Sequence, residues 1–158
     1  PVIPLINCSL ISMLCRPPLS LLEISTSHPA DQLQLDLHAV QATVKPVALG
    51  RAVSNLIDNA FTYGSPPVVV CLKRIGSGAV IEVWDQGEGM PAEQWERALQ
   101  PFQRLDESRG EQGHCGLGLA IVAHVARLHG GQLSCTSSGA EAPGRFGIRL
   151  QLPIASTV

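Results

Sequence analysis

Apolar residues recur along this chain at two spacings, and each spacing predicts a different kind of element. Leu33 to His38 alternates Leu-Gln-Leu-Asp-Leu-His, the period-two pattern of a strand with one buried face. From Pro46 the period lengthens: Leu49, Val53, Leu56 and Ala60 repeat at helical spacing, Pro46 suits a first helical position, and Gly64 marks the end of a helix that runs to about Tyr63. Pro67 to Ile75 and Ala79 to Asp85 are rich in β-branched residues. Gly76-Ser77-Gly78 between them predicts an antiparallel hairpin. Pro91 to Leu99 predicts a short helix, and Leu117 to Leu128 a longer one with a broad apolar face, closed by Gly130-Gly131. Gln132 to Ser137 and Arg145 to Leu152 form a second hairpin around the turn-rich GAEAPG. Residues 103–114 have no periodic apolar face and predict a mobile loop. At the start, Val2 to Leu5 suits a short edge strand, Asn7 caps a helix reaching about Cys15, Pro17 and Pro18 stop it, and residues 25–32 read as loop. Helices and hairpins in this order predict an α+β fold: a two-layer sandwich of a mixed, mostly antiparallel sheet packed on helices.

Composition narrows the class. The 158 residues suit a single domain spanning 1–158, and 45% apolar content with only 4% aromatics implies an aliphatic core. A net charge of -2 gives no electrostatic reason to expect nucleic acid, so any phosphate binding must be local. Cys8, Cys15, Cys71, Cys115 and Cys135 are odd in number and include no C-x-x-C pair, which reads as reduced thiols in a cytoplasmic setting. The apolar opening is broken by Pro4, Asn7, Ser9 and Ser12, too short a run for direct membrane insertion.

Three constellations carry chemistry. Asn55, Asn59 and Thr62, at i, i+4 and i+7, share a helix face distinct from the apolar stripe, and a carboxamide oxygen there can hold a hard cation. Taken alone, asparagines on a helix are more often merely solvated. Asp85 ends a strand and is followed by Gly87 and Gly89: a fixed carboxylate can accept a hydrogen bond from an exocyclic amine, and the glycines let a flat ring approach. By itself that pattern is also an ordinary strand-closing turn. Gly113 to Ala120 places glycines at a helix start, where unsatisfied N–H groups and the helix dipole receive phosphates without basic side chains. No Lys-Ser/Thr follows those glycines, as a P-loop requires, and no βαβ unit surrounds them, as a Rossmann fingerprint requires.

In chain order these pieces resemble the N, G1, F and G2 boxes of sensor histidine kinases, within the Bergerat-fold ATPase superfamily shared with type II topoisomerases, Hsp90-class chaperones and MutL. The boxes stand as NLIDNAFTYG (55–64), DQGEG (85–89), PFQRLDESR (101–109) and GHCGLGLAIV (113–122), with an ATP lid at about 103–115. The third box and the stretch LDLHAVQATVKPVALGRAVSNLIDNA are similar to the EnvZ-like subgroup; the resemblance covers about residues 33–152 and is weaker over the first 32.

The resemblance implies ATP and Mg2+ as cofactors. It puts the metal ligand on Asn59 and a helper on Asn55, the adenine-recognising aspartate on Asp85 with Gly87 and Gly89, and an aromatic against the nucleotide on Tyr63. Phosphates fall to Gly113, Gly116, Leu117, Gly118 and Leu119, while Arg104 and Arg109 would disperse charge at the γ-phosphate, Arg104 as the catalytic helper. Phe102 matches the phenylalanine of its box, as a lid anchor or a core residue. His114, His124 and His129 read as non-catalytic, the last two as structural. Thr62 stands where many relatives carry a cation near the phosphates.

None of the five histidines has the H-E/D-x-x-x-P setting of a phosphoacceptor. The implied function is therefore the catalytic half of a two-component kinase. It would bind Mg-ATP or ADP and donate the γ-phosphoryl group to a histidine in a separate dimerisation domain, for relay to a response regulator. The parent is then expected to be a homodimer at a bacterial inner membrane, and this chain a monomer that does not phosphorylate itself. Two alternatives share the fold: an anti-sigma-like protein that sequesters a partner and phosphorylates serine, and a topoisomerase-type ATPase clamp, which 158 residues leave little room for.

Overall fold

The computed structural model describes residues 29, 31–40, 42–102, 116–137 and 144–154. The expected strand at 2–5 and helix at 7–15, the loop at 103–114 and most of the turn at 139–144 lie outside them. The described elements are β1 (Leu33–Leu37), α1 (Pro46–Tyr63), β2 (Val68–Ile75), β3 (Gly78–Asp85), α2 (Ala92–Ala98), α3 (Gly118–Leu128), β4 (Gln132–Ser137) and β5 (Phe146–Pro153). Each agrees with its periodicity to within about a residue at either end. Gly78 is the instructive difference: it pairs with Ile75 as the first residue of β3, so Gly76 and Ser77 alone make the turn, with Gly76 at a φ of 56°.

The five strands form one sheet in the order β1-β2-β3-β5-β4. β1 runs parallel to β2 because α1 crosses over between them, and every other pairing is antiparallel. What alternation alone leaves open is how the two hairpins join. β3 pairs with β5, setting Val83 opposite Ile148 and Ile81 opposite Leu150, so the hairpins become one continuous sheet.

One face of this sheet is aliphatic. Val68, Val70 and Leu72 of β2, Ala79, Ile81 and Val83 of β3, and Ile148, Leu150 and Leu152 of β5 all join a single buried cluster. Onto it α1 brings Leu49, Val53, Leu56 and Ile57, and α3 brings Val122, Val125 and Ala126. The apolar stripe read from the sequence is thus the face α1 buries. α1 and α3 pack antiparallel, the start of α1 beside the end of α3 and Asn59 beside Gly118.

The opposite face holds Val69, Cys71 and Trp84, also buried, around a buried charge. Glu82 is 1% exposed and accepts from Lys73 Nζ at 2.8 Å, from Arg149 Nε at 2.6 Å and from Trp84 Nε1 at 3.4 Å. Its cross-strand neighbours are Cys71 and Arg149, so sheet register itself delivers the guanidinium. Burial works to raise the Glu82 carboxyl, but the hydrogen bonds from Lys73, Arg149 and Trp84 outweigh it and hold the group below the usual glutamate range. Nearby, burial first, then the charges of Asp36 and Glu82, pushes the Cys71 thiol up to about 11, so it stays protonated; Cys71 and Cys135 are both free thiols.

Glu82→Gln keeps the shape and removes the charge. Because Lys73 and Arg149 are partly solvated and can recover water, the expected loss is about 1–3 kcal/mol rather than the full penalty of an orphaned buried ion. A depressed carboxyl stabilises above the ordinary glutamate range and ceases to as pH falls through its folded value. Urea melts of both proteins should therefore differ most at neutral pH and converge in acid; equal stabilities at pH 7 would remove the ion cluster from the account.

Candidate functional site

At the end of β3 the chain leaves the sheet beside the last turn of α1. Asp85, 6% exposed, sits at this junction, and its Oδ1 accepts the Gly87 N–H at 2.7 Å, with the Ser65 N–H donating to the same carboxylate. Gln86 N–H donates to the Ser65 carbonyl at 2.8 Å, and Arg145 N–H to the Asp85 carbonyl at 2.8 Å. Three segments are therefore laced around one carboxylate. Gly64 makes this possible: a Cβ there would collide with the Asp85 carboxylate itself, so no other residue lets α1 end so close to β3.

Burial raises the Asp85 carboxyl above the usual aspartate range, and the Gly87 and Ser65 N–H groups only partly offset it. A carboxylate with two backbone donors and an uncompensated desolvation cost is an acceptor in want of a further donor.

That donor would come from a cleft of about 790 Å³ in front of it, a size that suits a nucleotide-sized ligand. Asn55, Asn59 and Tyr63 line it from α1, Gly87 and Gly89 from the segment after β3, and Gly116, Leu117, Gly118 and Leu119 from the start of α3. With Asp85, these ten candidate residues are thereby brought to one cleft. Arg104, Arg109 and Gly113 lie outside the described residues.

The helix side of the cleft suits an anion. Among the described residues no side chain caps α3, and its first turn carries no acidic residue; its opening residues, from Gly116 to Leu119, line the cleft, where unsatisfied N–H groups and the helix dipole favour an anion. Gly118 lets the Asn59 amide lie against this helix start: an added Cβ would stand 3.3 Å from Asn59 Oδ1. Asn55 Nδ2 is buried and finds no hydrogen-bond partner among the described residues, a donor to spare at the cleft wall. Among the described residues no three His, Cys, Asp or Glu side chains cluster as a metal cage. One or two amide oxygens beside an anion site fit a hard cation that keeps water and phosphate oxygens as its remaining ligands, which is how Mg2+ is usually held.

Two expectations need correction. Thr62 is exposed and is not part of the cleft wall, because at the last turn of α1 its position falls to one side of the Asn59–Tyr63 edge. Phe102 is 74% exposed rather than in the core, at a positive φ of 63°, and its N–H donates to the Gly116 carbonyl at 3.1 Å. That bond joins the two sides of the segment 103–115. Of the two histidines read as structural, His124 is exposed on α3 and His129 is hydrogen-bonded between helices. Periodicity missed Arg145, just before β5, and Phe146 and Ile148 of β5, which line the cleft. They come from the far end of the chain, and only the β3–β5 pairing signals their arrival.

The family described as "Histidine kinase-, DNA gyrase B-, and HSP90-like ATPase" matches residues 44–156. The sensor protein RstB of Escherichia coli (strain K12) is 42% identical over 89 residues, covering 56% of this chain and 21% of RstB. Among solved structures, the mycobacterial sensor histidine kinase MprB superposes with a TM-score of 0.72 at 29% identity over 92% of this chain and 94% of that one. The histidine kinase domain of the E. coli osmosensor EnvZ gives 0.62 at 31% identity over 88% and 86%. The full-length sensor proteins matched are several times longer, this chain covering 15–28% of each.

Asp85→Asn keeps an oxygen for the Gly87 N–H and removes the buried charge. Since the folded carboxyl is raised, ionised Asp85 costs stability above its folded value, and that cost disappears as pH falls below the ordinary aspartate range. The variant should melt higher than wild type at pH 7, with the gain shrinking in acid. A lower midpoint at every pH would mean the carboxylate is held for the fold's sake.

Proposed function

Because the chain belongs to the histidine kinase-, DNA gyrase B- and HSP90-like ATPase family, we propose that its cleft binds Mg-ATP as the catalytic domain of a two-component sensor kinase. The observation that carries the reading is the pairing, across one cleft, of a buried acceptor and an anion-suited helix start: Asp85 at the end of β3 and the uncapped α3.

In this reading the Asp85 carboxylate accepts from the exocyclic amine of adenine, which selects adenine over guanine because guanine presents a carbonyl at that position. Gly87 and Gly89 leave the base room beside the backbone, and Phe146 and Ile148 give it an apolar wall. Tyr63 covers the nucleotide at the end of α1. The phosphates meet the N–H groups that open α3, from Gly116 through Leu119. Asn59, helped by Asn55, would hold Mg2+, which when bound supplies charge neutralisation at the phosphate oxygens. What the chain contributes to phosphoryl transfer is position and electrostatics, with the receiving nucleophile brought from elsewhere.

The proposed acceptor is a histidine of a separate dimerisation domain in the parent protein, and the phosphoryl group then passes to a response regulator. No helix among the described residues is long and apolar enough to cross a membrane.

Calorimetric titration tests the site. Wild type should bind ADP and ATP, and not GTP; Asp85→Asn should lose at least tenfold in adenine affinity, and Asn59→Ala should lose the part of the affinity that depends on Mg2+. Absence of adenine nucleotide binding by wild type would sink the reading, and full Mg2+ dependence in Asn59→Ala would sink the ligand assignment. With γ-labelled ATP the chain alone should remain unlabelled; label retained on it would place the acceptor within these 158 residues.

A further inference from the structure

His129 closes α3 and touches two helices at once. Its Nδ1 lies 2.8 Å from the Val125 carbonyl, one turn back, and its Nε2 accepts the Lys45 N–H at the start of α1, at 2.9 Å. A carbonyl can only accept and a peptide N–H can only donate, so both contacts are made by the tautomer that carries its proton on Nδ1 and accepts at Nε2. The imidazole is a bridge between residues 84 apart in the chain.

The position of that bridge gives it leverage. α1 and α3 run antiparallel, and at their other ends the Asn59 amide lies against Gly118. Asn59 is about 21 Å along α1 from Lys45, and Gly118 about 16 Å along α3 from His129, at ~1.5 Å per residue. Between the two ends the helices meet through aliphatic side chains of the common core, Val53 and Leu56 on one and Val122 and Val125 on the other. Apolar contact resists separation but is non-directional, so it resists sliding along the axis less well. A hydrogen bond is directional, and one at the far end sets how far along α3 the helix α1 stands. Lys45 is the N-cap residue of α1, so its N–H is not used within the helix and is free to donate to His129.

We propose that His129 is a positioning residue of the nucleotide site: by fixing the axial register of α1 on α3, it sets the spacing between the Asn59 amide and the phosphate-receiving N–H groups at Gly118. The inference rests on the reading of Asn59 and the α3 start as the metal and phosphate side of the cleft. It assigns no such role on the adenine side, because Asp85 is held by the sheet and by Ser65 and Gly87.

Two substitutions separate the bonds. His129→Asn has an amide that reaches only as far as ring Nδ1; it keeps a donor for Val125 and loses Lys45. His129→Gln reaches as far as Nε2 and restores an acceptor for the Lys45 N–H. The Mg2+-dependent gain in ADP affinity should fall three- to tenfold in His129→Asn and return to within twofold in His129→Gln, while adenosine affinity stays within twofold of wild type in both. In the nucleotide-free protein, the backbone amide resonances of Asn59 and Gly118 should shift in His129→Asn and return in His129→Gln. An unchanged Mg2+ gain in His129→Asn, unmoved resonances, or equal losses in the two variants would overturn the inference while leaving the site reading intact. A wild-type chain that binds no adenine nucleotide, or binds it with no Mg2+ gain, would sink the site reading and this inference with it.

Discussion

Every residue of β3 is buried, because the strand lies third of five with the helices on one face and the Trp84 cluster on the other. Such a strand has no solvent to satisfy its polar side chains, yet β3 carries two carboxylates. They meet the constraint in opposite ways. Glu82, in mid-strand, is surrounded by Lys73, Arg149 and Trp84, and its charge is settled within the sheet. Asp85, at the strand end on the helix face, receives two backbone N–H groups among the described residues and faces a cleft. One acid completes the fold and the other is left incomplete by it, the usual difference between a structural ion pair and a binding residue.

The site is divided along the same line as the architecture. In the proposed reading its adenine side belongs to the sheet layer, where hydrogen bonds from Ser65, Gln86 and Arg145 lock the end of β3 to its neighbours, and its phosphate side to the helix layer, through Asn59 on α1 and the first residues of α3. A ligand that spans both layers reads two rigid bodies whose relation is set by the aliphatic core between them. The distance from base to phosphate is in that sense a packing quantity.

Much of this was legible in the sequence, for identifiable reasons. The α1 stripe, the alternation of β1 and the β-branched runs of β2 and β3 are local patterns, and local patterns survive without knowledge of the partner. The cleft residues on α1, after β3 and at the start of α3 were found because each carries a chemistry that its position makes unusual: amides on a helix face, a carboxylate at a strand end, glycines at a helix start. What escaped was non-local. The β5 wall of the cleft depends on strand order, and sequence spacing does not encode which edge of a hairpin will be covered. Of the two readings of Phe102, lid anchor or core residue, the second does not hold: its backbone is left-handed and its side chain is exposed. The tie from His129 to Lys45 was invisible because a histidine beside two glycines carries no periodic signal.

The bond between Phe102 N–H and the Gly116 carbonyl has a consequence for how such a domain can diversify. It joins the last residue before the segment 103–115 to the first residue after it, so the frame on either side is complete without that segment. Closing a longer loop between two already joined ends costs little, about 0.6 kcal/mol for each doubling of length. Changes of length between Phe102 and Gly116 can therefore accumulate without displacing the helix that begins at Gly118.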